Sequence, residues 1–391
     1  MGILPDALPL RFLQTRPMRP TFSRRQFVQT ASASMALAAM PAARAQEVER
    51  RFEPKPAGWR SFEVSTTVTL RDVQGGASLW LPVPSLDTPW QRTQGVSWSG
   101  NASSMRLASD GSTGAKVLVA EFDASVSAPS VVLTAQVQTQ SRAVDWQAQA
   151  SEPAADPADP ADLRRWTEPS ALITTDGIVR KVANQITAGA RSDREKVQRI
   201  YDWVVVSTYR EPKVRGCGVG DIKTMLETQN LSGKCADINA LFVGLCRASG
   251  IPARDIYGIR LVPSAFGYRE LGGNPASLKG AQHCRAEVHL KGHGWVAMDP
   301  ADVTKVMRQE TAEWIKDAGH PIVTPVRRAL FGGWEGNWMG YNSASDVALP
   351  GAKQPKLAFF MYPQAETAAG ALDPYAPDAF AYQITAREIK A

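Results

Sequence analysis

Histidine and cysteine are both scarce in this chain, four of each among 391 residues. Cys217, Cys235, Cys246 and Cys284 are too few to staple a chain of this length, which excludes a disulfide scaffold. No stretch reaches ~18 consecutive apolar residues, so no membrane-spanning helix is expected. No internal repeat is found. The formal net charge of +6 is also less than it looks. Six of the 44 basic residues and one of the 38 acidic ones lie in 1–45, which leaves 38 against 37 in the remainder. No basic surface for a polyanion follows, and nucleic acid is not an expected partner. Cofactor motifs are missing as well. Gly216-Cys217-Gly218-Val219-Gly220-Asp221 mimics a glycine-rich phosphate loop. It lacks the following Lys-Ser/Thr and does not join a strand to a helix in a βαβ unit, so it reads as a turn lining the approach to Cys235. No cofactor and no metal are expected.

What is present suits a globular protein of two domains. Hydrophobic residues make up 44% and charged residues 21%, enough for a sizeable core. The leader carries information of its own. Ser23-Arg24-Arg25-Gln26-Phe27-Val28 is a twin-arginine pattern, Ala31 to Ala39 is a short apolar region, and Ala43-Arg44-Ala45 fits a cleavage site. Residues 1–45 therefore resemble a signal for twin-arginine export, with Met18 as an alternative start and a mature chain beginning near Gln46. The expected location is periplasmic or secreted. No cysteine follows the cleavage site, so no lipid anchor is expected.

Residues 46–145 read as a small β domain of sandwich type. Phe62 to Leu70 alternates and is rich in β-branched residues; Leu79–Leu81, Ala115–Phe122 and Val131–Val137 are further strand-like runs between Gly, Ser, Asn and Pro clusters. Residues 146–169, with Pro153, Pro157 and Pro160 among Ala and Asp, read as a linker. Residues 170–391 form the third region. Asp176 is placed to cap one helix and Asp193 opens a second, with Val197, Ile200, Trp203 and Val204 at helical spacing. A third helix starts at Cys235 and ends before Gly250 and Pro252. Strands follow at Asp255–Val262, Arg285–Leu290 and Trp295–Met298. Helices first and antiparallel strands second make the class α+β.

Cys235 is the candidate nucleophile. It follows the turn Ser232-Gly233-Lys234 and opens an amphipathic helix. A helix N-terminus favours thiolate over thiol, and its N–H groups can hold an oxyanion. A small buried apolar role is the alternative, common for free cysteines. Cys246, eleven residues on and on the apolar face, fits that role instead. A thiolate needs a base, and the base an orienter. His283 heads one strand and Asp299 ends the next, sixteen residues apart around a glycine turn. Side chains alternate along strands, so an odd connection puts both on one face, and a three- or five-residue loop around Gly292 is expected. His293 falls in that turn, His289 lies mid-strand and His320 lies in a polar stretch.

Gly233-Lys234-Cys235-Ala236-Asp237, then Arg247 through Arg254 (Arg-Ala-Ser-Gly-Ile-Pro-Ala-Arg), then His283, then Gly294-Trp295-Val296-Ala297-Met298-Asp299-Pro300-Ala301-Asp302, is similar in order and spacing to the transglutaminase-like superfamily over about residues 170–305. The resemblance implies a papain-like or transglutaminase-like α+β core, with Cys235 as nucleophile, His283 as general base then acid, and Asp299 as its orienter. The chain departs from the family where Cys284-Arg285 follows the histidine, in place of the Ala-Trp of many members. A Cys217–Cys284 disulfide is one arrangement open under oxidising conditions, though sequence does not set connectivity. A metal set of Cys217, His283, Cys284 and His289 lacks the usual zinc spacing. The implied activity is thiol-dependent cleavage or transfer of amide bonds in a protein or peptide substrate, through a thioester. An amine-incorporating crosslinking enzyme and a non-catalytic scaffold on the same fold are the alternatives.

Overall fold

Residues 50–71, 73–111, 113–147, 159–376 and 380–389 are described in the computed structural model. The twin-arginine leader, the start at Gln46 and residues 148–158 of the linker lie outside them.

Strand formation in the first region follows its alternation. In β1 (Arg60–Leu70) every second residue from Phe62 to Leu70 is buried. Beside it run β2 (Ala77–Pro82), β3 (Gln91–Gly100), β4 (Ser104–Ser109), β5 (Lys116–Phe122) and β6 (Ser130–Thr139). Pro160–Arg165 forms a short helix, α1, inside the stretch read as linker. Asp159 accepts from Ala161 N at 2.8 Å and Pro160 occupies the first turn, where its missing N–H costs nothing.

The helical part comprises α2 (Gly177–Thr187), α3 (Asp193–Ser207), α4 (Ile222–Glu227) and α5 (Cys235–Ala248). Asp176 stands at the start of α2 but makes no side-chain cap bond, whereas Ser192 caps α3 through Glu195 N at 3.2 Å. After α5, Gly250 takes a φ of 81° that glycine adopts freely. Then come β7 (Ala253–Arg260), β8 (Gln282–Leu290), β9 (Gly294–Met298), α6 (Pro300–Gln309), α7 (Thr324–Ala329) and β10 (Trp338–Asn342). The four strands make an antiparallel sheet in the order β9-β8-β7-β10, and α5 packs on β8 and β7. The protein is an α+β chain.

The tail closes the first region. Strands β11 (Gln364–Thr367), β12 (Gly370–Ala371) and β13 (Phe380–Ile389) return to it, giving sheets β13-β1-β6-β3 and β12-β11-β2-β5-β4. Strand β13 pairs with β1 from Ser61↔Ile389 to Leu70↔Phe380. One apolar cluster runs from Phe62 and Leu79 through Phe242 and Val288. Trp90, Trp334 and Trp338 join the layers, Trp90 and Trp334 edge-on at 5.3 Å. Glu287, fully buried on β8, is neutralised by Arg142 beside the sandwich and by Arg254 at 2.7 Å. No helix among the described residues is long and apolar enough to cross a membrane.

Candidate active site

Cys235 is the first residue of α5, and its surroundings are fixed by a carboxylate two residues along. Asp237 accepts from Lys234 N through Oδ2 at 2.9 Å, and from Val219 N and Gly220 N through Oδ1 at 2.8 and 2.9 Å. One side chain thus ties the turn before the cysteine to the Gly216–Asp221 loop. The glycines permit this approach: a Cβ on Gly218 would stand 1.8 Å from Asp237 Oδ2, and Gly218 has a φ of 96°. The loop N–H groups that a phosphate would need are therefore spent on Asp237. The loop carbonyl of Cys217 accepts from Ala236 N at 2.9 Å, which brings the Cys217 thiol beside Cys235.

His283 and Asp299 reach the same place from the hairpin. Leu290 pairs with Gly294, so the connection is the three residues 291–293, an odd number. Both side chains then fall on one face, and His283 Nε2 lies 2.7 Å from Asp299 Oδ2. With Nε2 so engaged, Nδ1 is the ring nitrogen left for the sulfur of Cys235, with which His283 interacts. Asp299 also starts α6, accepting from Asp302 N at 3.1 Å, and Asn239 on α5 donates to its Oδ1 at 3.3 Å. The indole of Trp338 donates to the carbonyl of His283 at 3.0 Å and holds the strand in place.

Two groups here were given no role in the sequence reading. Asp302 Oδ2 lies 3.3 Å from His283 Nε2, and its other oxygen pairs with Arg260. Asp299 has a weaker cationic neighbour, Arg285 Nε at 3.6 Å. The signal for Asp302 was present: it stands three residues after Asp299, one helical turn on, where a second carboxylate meets the same neighbour. Tyr362 is the other. Its hydroxyl donates to Cys217 Sγ at 3.0 Å, and nothing short of the tertiary fold brings the tail there.

The electrostatics single out one thiol. Burial alone would push Cys235 up. Hydrogen bonds with Cys217, Cys284 and His283, and the imidazolium charge, outweigh it and hold the thiol well below its ordinary value. Burial and Arg260 would lower His283, but the Asp302 and Asp299 carboxylates raise it to about 9. The two shifts, thiol down and imidazole up, both favour a thiolate–imidazolium pair. Cys246, on the same helix with only burial acting strongly on it, is pushed well up.

The remaining candidates are dispersed. His289 stacks edge-on against Trp295 at 5.5 Å, His293 against Trp146 at 5.3 Å, and His320 Nδ1 accepts from Ile322 N at 3.2 Å. The Cys217–Cys284 disulfide is absent: all four cysteines are free thiols. Among the described residues, ligand atoms of His283, Asp299 and Asp302 lie within 4.8 Å of one another, a spacing a cation would accept. Arg260 and Arg285 already supply that positive charge.

Comparison with known proteins places the chain in a family. The family model of the transglutaminase-like superfamily core matches residues 180–300, which include α5, the hairpin and Asp299. An uncharacterized protein of Haemophilus influenzae is 34% identical over 330 residues, covering 81% of this chain and 87% of that protein. The chain belongs to the transglutaminase-like superfamily. Within that superfamily its fold is like the crystal structure of a candidate cysteine protease from Cytophaga hutchinsonii, with a TM-score of 0.53 at 17% identity over 86% of this chain and 92% of that one.

Proposed function

We propose that this transglutaminase-like protein is an exported thiol hydrolase that cleaves amide bonds in proteins or peptides. The observation that carries the reading is the contrast on a single helix: Cys235 is held low beside His283, and Cys246 is pushed high. In the proposed reaction the Cys235 sulfur attacks the amide carbonyl. Ala236 N is taken by the Cys217 carbonyl, so the amide of Cys235 itself is the oxyanion donor at this helix start. His283 passes its proton to the departing amine, leaving a thioester on Cys235. Asp299 holds the ring. Water, activated by the now neutral His283, then releases the acid and restores the thiol.

The site is closed, with Cys235 2% and His283 1% exposed. Substrate entry requires the Gly216–Asp221 loop or the Tyr362–Tyr375 segment above Cys217 to yield. Arg24-Arg25 and the apolar stretch after them support export before the enzyme acts.

The test compares the protein with Cys235→Ala on a general protein substrate, scoring new amino termini and incorporation of a labelled primary amine. New termini from the unmodified protein alone are expected. Amine incorporation without cleavage would make the protein a crosslinking enzyme. Identical behaviour of the two forms would make it a scaffold.

A further inference from the structure

Two thiols beside Cys235 help hold it low but make and break no bond in this reaction. Cys217 interacts with both Cys235 and Cys284, and Cys284 with Cys235, so three sulfurs share one buried pocket. We propose that this pocket is an oxidation site, in which Cys217 captures Cys235 as a reversible disulfide after hydrogen peroxide has oxidised it. The inference rests on Cys235 being the nucleophile, because the thiolate that attacks a carbonyl also attacks a peroxide oxygen.

The chemistry closes on the groups present. The Cys235 thiolate attacks hydrogen peroxide, the O–O bond breaks, and Cys235 becomes a sulfenic acid. The released hydroxide takes the proton of His283 and leaves as water. The sulfur of Cys217 then attacks the sulfenic sulfur, the S–O bond breaks, and the second hydroxide leaves as water with the Cys217 proton. Two thiols are oxidised and one peroxide is reduced to two waters. A dithiol reductant reverses the result by exchange.

Cys217 is the capturing thiol rather than Cys284 for a reason in the backbone. Cys284 sits inside β8, paired with Tyr257 of β7, and cannot move without breaking the sheet. Cys217 lies in a loop between Gly216 and Gly218, with φ of 57° and 96°, and its carbonyl is already anchored on α5 by Ala236 N. Small rotations there carry its sulfur toward Cys235 while the anchor holds. Beyond the two neighbouring thiols, the Cys217 sulfur makes single hydrogen bonds, from the Tyr362 hydroxyl at 3.0 Å and to the Gln282 carbonyl at 3.4 Å, and both can be exchanged.

The test needs no substrate. Reduced protein is treated with stoichiometric hydrogen peroxide, its remaining thiols are blocked with N-ethylmaleimide in guanidinium chloride, which exposes the buried cysteines, and the peptides are mapped by tandem mass spectrometry. Fragmentation is required because Cys235 and Cys246 share the tryptic peptide 235–247. The expected product is a Cys217–Cys235 link that dithiothreitol removes, with Cys246 and Cys284 alkylated. In Cys217→Ser, Cys235 should pass to the sulfinic acid and dithiothreitol should not restore it. A Cys217–Cys284 link with Cys235 free, or sulfinic Cys235 in the unmodified protein, overturns the proposal. The map of the unmodified protein decides the matter even where the serine variant folds poorly. Loss of the link with cleavage intact sinks the oxidation site alone; formation of the link in a protein with no activity sinks only the hydrolase.

Discussion

Asp302 reaches the same ring nitrogen as Asp299: His283 Nε2 lies 2.7 Å from one carboxylate and 3.3 Å from the other. The imidazolium is thus held by two anions of different standing. Asp302 is strongly committed to Arg260, whereas Asp299 has only the more distant Arg285 as a cationic neighbour. Asp299→Asn should lower kcat about 10²- to 10⁴-fold, the range for a base that has lost its proton-transfer competence. Asp302→Asn should cost less activity and move the alkaline limb of the pH–rate profile below its position near 9. That variant leaves Arg260, 3% exposed, without its anion, so a loss of about 3–5 kcal/mol of stability should accompany it. An unmoved limb in folded Asp302→Asn would remove Asp302 from the network.

The thiolate–imidazolium pair sets the pH range of activity. Cys235 is held well below its ordinary value and Cys246 well above it, so iodoacetamide at pH 7 should alkylate Cys235 far faster than Cys246 in the folded protein. Activity should fall as pH rises through about 9, because His283 then has no proton for the departing amine. Equal labelling of the two cysteines would leave the helix start without its proposed effect.

Asp255 contributes a second pH dependence, to stability. Both its oxygens are buried without a hydrogen-bond partner, and burial raises it from 3.8 to about 8. The unfolded chain releases this proton above about 4 and the folded chain keeps it to about 8. Folding is therefore favoured fully only below the lower value, and stability declines as pH rises between them. Asp255→Asn should flatten the decline of Tm between pH 5 and 8. The same slope in both proteins would mean that Asp255 finds a partner in solution.

Much of the site could be read from the chain because its geometry is local. A cysteine after a glycine turn opens a helix, and hairpin parity brings His283 and Asp299 to one face; both depend on a few neighbouring residues. The β-branched alternation of β1 and the helical spacing in α3 were legible for the same reason. Tyr362 beside Cys217, and β13 beside β1, were not. They are contacts between residues 145 or more apart, and neither periodicity nor capping encodes a partner at that distance. The free thiols differ for another reason: Cys217 and Cys284 interact, and sequence does not say whether such a pair bonds.

Gly218 and Gly220 separate two effects that glycine serves. Gly218→Ala drives a methyl into the Asp237 carboxylate, at 1.8 Å, and should free the N–H groups of Lys234, Val219 and Gly220. A loss of at least about 2 kcal/mol, with slower alkylation of Cys235, is expected. Gly220→Ala, whose Cβ stands 3.3 Å from the Ala236 carbonyl, asks only a small shift of that neighbour besides the backbone cost of its φ of 83°. Equal losses in urea titrations of the two would show that the Asp237 clamp adds nothing.

The seam between β1 and β13 makes synthesis and folding consecutive events. A strand near the start of the sandwich waits for one that ends at Ile389, so the nascent chain carries an open edge at β1 until β13 has been made. Removal of β13 would therefore act as a folding lesion, even though Cys235, His283, Asp299 and Tyr362 would all still be present.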